Sequence, residues 1–258
     1  MPPRTRLDEI LVLRGLCASR SRAQALIAEG KVLVDGRVAS RKSALVPPDA
    51  AIELSAGTYV SRGAAKLLAA LDRFRVDPRG RVALDAGAST GGFTQVLLER
   101  GAARVYAVDA GHDQLDPGLR ADPRVVVHEG TNLRLLRRGD LPEAIELFTL
   151  DLSFISLRLV LPAVASMAKE GAEVVALVKP QFEAGPRDVG KGGIVRDRTV
   201  HLRVLAEVAQ AAGENGFTPL GVCPSPILGG DGNREYLMHL GTGTPDFDAA
   251  AAVEEAFA

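Results

Sequence analysis

From Arg81 onward the chain alternates short apolar runs with helical patterns, and that alternation confines it to one broad architecture. The runs are Val82–Asp85, Arg104–Asp109, Val125–His128, Leu147–Asp151, Val174–Val178, Phe217–Cys223 and Glu235–Leu240. They are rich in the aliphatic residues of buried strands. Helical patterns separate most of them. Such repeats build an α/β, Rossmann-like, mostly parallel sheet with helices on both faces. An antiparallel addition is expected at the C-terminal end. A chain of 258 residues that is 47% hydrophobic can bury such a core without disulfides. Its two cysteines, Cys17 and Cys223, form no CxxC pattern, and its four histidines show no ligand spacing. The cysteines read as buried free thiols in a reducing cytoplasm and the histidines as structural or surface residues, with no metal site. The N-terminus lacks a secretory apolar region. The most apolar stretch, Leu147 to Ala168, is interrupted by Asp151, Arg158 and Pro162, which makes it a poor membrane span.

The first 54 residues stand apart. They hold nine basic and six acidic residues, so this segment is positive while the remainder is negative. Leu7, Ile10 and Leu11 predict a short helix ending near Gly15. Ser19 or Ser21 can cap a second helix through Glu29, with Ala23, Leu26 and Ile27 inward. Lys31 to Val38 reads as a hairpin turning at Asp35-Gly36, and Ala51 to Leu54 as a further strand. Through Ser19-Arg20-Ser21-Arg22-Ala23, Leu26-Ile27, Gly30 and Val32-Leu33-Val34-Asp35-Gly36, this stretch resembles the S4 RNA-binding domain, a small α+β module. The resemblance implies binding to the shape and phosphates of folded RNA, with Arg4, Arg6, Arg20, Arg22, Lys31 and Arg41 as contacts.

The first strand of the larger part runs into Asp85-Ala86-Gly87-Ala88-Ser89-Thr90-Gly91-Gly92-Phe93. Small residues here let backbone approach a ligand where a helix begins. The spacing is not GxGxxG, and an acid sits at the strand end. An acid repels a pyrophosphate but suits the cationic methionine end of S-adenosylmethionine, so a methyl donor is favoured over a dinucleotide. Asp109, at the end of the second strand, is placed to meet ribose hydroxyls. The cofactor contacts expected on this reading are Asp85, Gly87, Ser89, Thr90, Gly91, Gly92, Phe93 and Asp109.

Four charged residues fall at element ends along the same sheet edge: Lys66 early in the helix before the first strand, Asp151 after the fourth, Lys179 after the fifth, and Glu235 in Gly232-Asn233-Arg234-Glu235-Tyr236. This set resembles the tetrad of FtsJ-type ribose 2′-O-methyltransferases. The whole chain is closer still to the TlyA family, an S4 domain followed by an FtsJ-like class I methyltransferase, often called haemolysin A. The match is carried by Val60-Ser61-Arg62-Gly63-Ala64-Ala65-Lys66-Leu67, the glycine loop, Leu150-Asp151-Leu152-Ser153-Phe154, Val178-Lys179-Pro180-Gln181-Phe182-Glu183, Gly192-Gly193-Ile194-Val195-Arg196-Asp197 and the Ser225 to Asn233 stretch. The resemblance implies S-adenosyl-L-methionine as cofactor and 2′-O-methylation of cytidine in ribosomal RNA or ribosomal subunits. The implied target is the large subunit and, in some members, also the small; members are linked to sensitivity to capreomycin-type antibiotics.

A ribose hydroxyl is a weak acid and needs a base or strong polarisation before it attacks a methyl group. Lys179 is the expected base. Lys66 would act as a neighbouring cation or as a donor to the oxygen, and Asp151 and Glu235 would orient the two amines. Arg62, Arg187, Lys191 and Arg196 are further expected RNA contacts, the last three on a basic, glycine-rich loop at 184–197 that should be mobile. The expected division is 1–59 for the RNA-binding domain, 60–244 for the methyltransferase and 245–258 for a flexible tail. The competing readings are a non-catalytic RNA-binding protein, a membrane-lysing protein, which the apolar pattern disfavours, and a small-molecule methyltransferase, which would leave the basic module without a purpose.

Overall fold

The computed structural model describes residues 5–17, 19–28, 31–39, 41, 43–48, 50–54, 59–229 and 232–258. The chain divides into two compact units, 1–60 and 61–258. Arg4, the expected helix end at Glu29-Gly30 and the linker at 55–58 lie outside the described residues.

The first unit runs β1 (Thr5–Arg6), α1 (Leu7–Leu13), α2 (Arg20–Ala28), β2 (Val32–Val34), β3 (Arg37–Val38), β4 (Leu45–Val46) and β5 (Ile52–Leu54). β2 pairs antiparallel with both β3 and β5, and β1 with β4. The β2–β3 turn puts Asp35 and Gly36 at φ 48° and 73°, the doubly left-handed turn that matches strand twist. Leu7, Ile10, Leu11, Ala23, Leu26, Ile27 and Val32 form a small core. Beside it lies Asp8, fully buried. Its carboxylate accepts from Arg6 Nε (2.9 Å) and Nη2 (3.0 Å), Arg20 Nη2 (3.3 Å) and Gln24 Nε2 (2.7 Å). These donors hold its pKa far below the carboxylate range.

The second unit begins with α3 (Gly63–Phe74), then β6 (Val82–Ala86), α4 (Gly92–Glu99), β7 (Arg104–Val108), α5 (Pro117–Arg120) and β8 (Val125–His128). There follow β9 (Ile145–Leu150), α6 (Leu157–Met167), β10 (Ala168–Val178), α7 (Pro180–Glu183), α8 (Arg198–Glu214), β11 (Thr218–Pro224), β12 (Tyr236–Gly241) and α9 (Ala249–Phe257). The seven strands stand in the order β11-β12-β10-β9-β6-β7-β8. β12 is antiparallel to both neighbours and the other pairs are parallel. Alternation along the strands sorts the two faces. Leu84, Tyr106, Phe148, Leu150, Val174 and Met238 join the core built with α6, α8 and α9. The intervening positions meet α3 and α4: Thr94 bonds Asp85, and Phe74 stacks on His239. No helix among the described residues is long and apolar enough to cross a membrane.

The chain leaves β6 toward β7 and β8, then returns to β9 on the other side of β6. Ligands in such sheets bind at this reversal, beyond the carboxyl ends of the strands. β10 starts six residues before the apolar run suggested. Ala168 pairs with Ile145, then the register shifts before Glu173 around Gly171, at φ 76°.

The stretch 245–258 is not a flexible tail. Asp248 caps α9 by accepting from Ala251 N, and Ala252 and Val253 are buried. The Phe257 ring meets His201 at 5.1 Å and lies under the Arg234 guanidinium at 4.2 Å. An alanine-rich sequence has high helix propensity, and here its apolar face has a surface to cover. Deleting residues 249–258 is therefore expected to lower the melting temperature by about 5–10 °C in a thermal scan. An unchanged melting temperature would show that α9 adds nothing to the core.

Candidate active site

Lys66 sits one turn into α3, and Glu235 immediately precedes β12. Their side chains meet at 2.6 Å, with both residues buried. Lys179 follows β10 at the position just before α7, whereas Asp151 follows β9; Lys179 Nζ lies 2.7 Å from Asp151 Oδ1 and donates to Ser153 Oγ at 3.0 Å. All four residues line one cleft of about 370 Å³ together with Gly87, Phe93 and other residues. The expected tetrad is thus gathered in one place, as two ion pairs. Lys66 does not present a free cation to Lys179, because its charge is met by Glu235.

Gly87, at φ 80°, lies where β6 and β9 diverge. A Cβ there would collide with the Asp151 carbonyl, so only glycine lets the two strand ends approach this closely. Asp151 N donates to Ala86 O at 2.9 Å, which completes the junction. Gly92 opens α4 against Ser61, whose Oγ a Cβ would strike. Both glycines line the cleft, as do Ser89, Thr90 and Phe93.

A second cavity of about 530 Å³ shares Gly87, Ser89, Asp151, Ser153 and Phe154 with the first. Asp109 lines it. One oxygen of its carboxylate accepts from Ser89 N at 2.8 Å and the other from Gly111 N at 2.7 Å. Leu133, Leu152, Ile155 and Val160 supply apolar wall, and Asn132 and Gln114 supply polar rim.

Two expected contacts lie elsewhere. Asp85 is fully buried and lines neither cavity; its oxygens accept from Thr94 Oγ1 (2.7 Å) and Thr149 Oγ1 (3.0 Å). It supports the loop from beneath. Gly91, at φ 98°, lies against Leu115 and Leu119 and serves the turn.

Among the expected RNA contacts, Arg6 and Arg20 already serve Asp8, and Arg22 donates to Tyr59 O at 2.8 Å. Lys31 is half-buried and Arg41 exposed. Arg62 is exposed at the start of α3 and lines the cleft. Arg187, Lys191 and Arg196 are exposed. The loop that carries them is stitched down at its far end: Val195 N donates to Asn233 Oδ1 (3.1 Å), and Asn233 Nδ2 to Gly193 O (2.9 Å).

Comparison with known proteins agrees with this layout. An FtsJ-like methyltransferase model matches residues 59–242, and an S4 domain model matches residues 5–52. The chain belongs to the FtsJ-like methyltransferase family. It is 47% identical to the 16S/23S rRNA (cytidine-2'-O)-methyltransferase TlyA of Mycobacterium tuberculosis, over 99% of this chain and 97% of that one. It is 32% identical to the 23S rRNA (cytidine-2'-O)-methyltransferase TlyA of Campylobacter jejuni, over 90% and 97%. Hemolysin A of Brachyspira hyodysenteriae is 39% identical, over 91% and 99%. A solved structure of a hemolysin-named protein from Streptococcus thermophilus superposes with a TM-score of 0.77 at 38% identity, covering 100% of this chain and 96% of that one.

Within this FtsJ-like frame, several lining residues escaped sequence reasoning. Ser153, Gln181 and Phe182 lie inside the matched motifs but were given no role there, and Gln114 and Asn132 carry no distinctive spacing. Phe154 could have been suspected as an aromatic in a polar turn. It is 90% exposed, takes φ 63° and packs against Phe182 with ring centroids 5.0 Å apart. Left-handed backbone in a bulky residue is costly and clusters at functional sites.

Burial raises Asp85 to about 7 despite its two hydroxyl donors. Its unfolded value is near the usual ~4. Between about pH 4 and pH 7 the folded protein keeps a proton that the unfolded chain has released, so this group's contribution to stability falls as pH rises. Asp85→Asn is expected to flatten that slope. Urea unfolding at about pH 5 and about pH 8 checks it; an equal slope in both proteins would assign the pH dependence to other groups.

Proposed function

We propose that the protein transfers the methyl group of S-adenosylmethionine to the ribose 2′-hydroxyl of a cytidine in ribosomal RNA, met as free RNA or within ribosomal subunits. The observation that carries this reading is the convergence of a buried Lys66–Glu235 pair and of a buried Lys179 with half-buried Asp151 on a cleft that opens beside the Gly87–Ser89 loop.

The second cavity fits the cofactor by its chemistry. Asp109 Oδ1 and Oδ2 each retain acceptor capacity for ribose hydroxyls beyond their backbone donors, and the Leu133, Leu152 and Ile155 walls suit an adenine. Gly87 and Ser89 would hold the methionine end, where the two cavities join. Bound there, S-adenosylmethionine supplies an electrophilic methyl group.

The chain's own residues do the rest. Lys179 Nζ is held by Asp151 and Ser153 at a fixed point in the cleft; once its ammonium has given a proton to bulk water, the neutral amine takes the proton that the 2′-oxygen sheds as it is methylated. Lys66, held by Glu235, donates a hydrogen bond to the same oxygen. Both pairs sit on element ends, so the reacting groups are positioned before substrate arrives. Phe154, exposed at the mouth, offers a face for a base turned out of its stack. The S4 unit and its basic residues, Arg41 and Lys31 among them, bring the RNA by its phosphates. Relatives that align over 97% of their own length are named for methylating cytidine in 16S and 23S rRNA, or in 23S rRNA, which supports the substrate assignment.

Lys179→Ala is expected to lower methyl transfer by about 10²–10⁴-fold while cofactor affinity changes little. Labelled-methyl transfer to ribosomal RNA, with 2′-O-methyl mapping, and calorimetric titration of the cofactor read the two quantities. Near-normal turnover in this variant would reject Lys179 as the base.

A further inference from the structure

Gln181 lies two residues beyond Lys179, on α7, and lines the same cleft as Lys66, Ser153 and Phe154. Its Oε1 is the one buried side-chain nitrogen or oxygen among the described residues that has no hydrogen-bond partner. Leaving a buried acceptor unpaired is costly, because its lost hydration is not replaced. Gln181 as a residue lines the cleft, and a turn of its terminal carboxamide about Cγ–Cδ brings this oxygen to the cleft wall, where a donor that arrives with the ligand can pair with it. None of the donors already in the cleft bonds this oxygen: Lys66 meets Glu235, and Lys179 meets Asp151 and Ser153. The next residue, Phe182, pairs its ring with the exposed Phe154. A base resting on these aromatic faces would bring its polar edge toward the Gln181 carboxamide.

We propose that Gln181 selects the base of the target nucleotide, its carboxamide oxygen accepting a hydrogen bond from the exocyclic amine of cytosine. The proposal rests on the 2′-O-methylation reading above. Cytosine presents an amino donor where uracil presents a carbonyl oxygen. Against a buried acceptor the first relieves the orphan, and the second sets two acceptors face to face. Sites that hydrogen-bond a substrate group discriminate strongly against an analogue lacking it, because their own polar atoms are then left unpaired.

The test uses the full chain, S-adenosylmethionine and two ribosomal RNA transcripts. One carries the cytidine at which the wild type is mapped to act; the other carries uridine at that position. Wild type is expected to favour the cytidine transcript in kcat/KM by about tenfold or more. Gln181→Met, similar in shape but with only a weakly accepting thioether in place of the carboxamide oxygen, should bring that ratio close to one. Gln181→Glu, which keeps an acceptor, should retain the preference even where the methionine variant fails to fold. A preference undiminished in Gln181→Met, a preference lost in Gln181→Glu, or a change confined to the KM for S-adenosylmethionine would overturn the assignment. A wild type that methylates no cytidine in either transcript would overturn the underlying reading as well; an active wild type with an insensitive Gln181 would overturn this inference alone.

Discussion

A buried ammonium needs a carboxylate, and this requirement organises the catalytic unit. Lys66 and Lys179 are only 6% and 8% exposed. Removing either charge from water costs several kcal/mol before any partner is counted. Each lysine meets its carboxylate at close range, and each pair joins segments far apart in sequence: α3 with the approach to β12, and the end of β9 with the end of β10. Such pairs are poor sources of stability, since well-packed apolar residues do as well. Two of them side by side at a cleft are instead explained by what they hold in position. They set two amines at fixed points along the carboxyl edge of the sheet, where the strand order reverses and a ligand has room to enter.

The glycine loop depends on a different kind of support. Gly87 must be a glycine because the Asp151 backbone occupies the place of its side chain, and that contact ties the glycine loop to the residue after β9 that pairs with Lys179. Beneath the loop, Asp85 fastens the start of α4 to β9 through Thr94 and Thr149. A motif acid can thus matter for a ligand without touching it. The carboxylate that stays in reach of the cavity is Asp109, and even it spends part of its capacity on Ser89 and Gly111. Loop geometry and ligand reach are shared out between two acids that the linear pattern presents as equivalents.

This division marks what the sequence could disclose. Strand positions and the four charged residues were legible because apolar runs with period two and side chains at strand ends obey rules of local geometry. The S4-like helices and the Asp35-Gly36 turn were legible for the same reason. What did not show was the direction of a side chain once packed. Asp85 points into the threonines on its own face of the sheet. Gly91 is spent on packing against Leu119. Arg6 and Arg20, placed by sequence among phosphate contacts, are also what makes a buried Asp8 tolerable. The C-terminal stretch was misjudged because its composition is equally that of a frayed end and of a good helix. Only the surface beside β11 and α8, with the Arg234 and His201 partners of Phe257, decides between them.

The basic glycine-rich segment shows how the active site and a distant surface come to share one anchor. Val195 is gripped on both sides of its peptide frame: its N–H by Asn233 Oδ1, and its carbonyl by His201 Nε2 at 3.0 Å. His201 is fully buried, and its other ring nitrogen accepts from the Tyr236 hydroxyl at 2.9 Å. Burial lowers its pKa, which favours the neutral ring that can donate to Val195 and accept from Tyr236 at once. Asn233 and Tyr236 flank Glu235 in the chain. The backbone that aims Glu235 at Lys66 is therefore the same backbone that fixes the end of the segment bearing Arg187, Lys191 and Arg196. The hydrogen bonds that anchor Val195 are shielded from water and therefore costly to break.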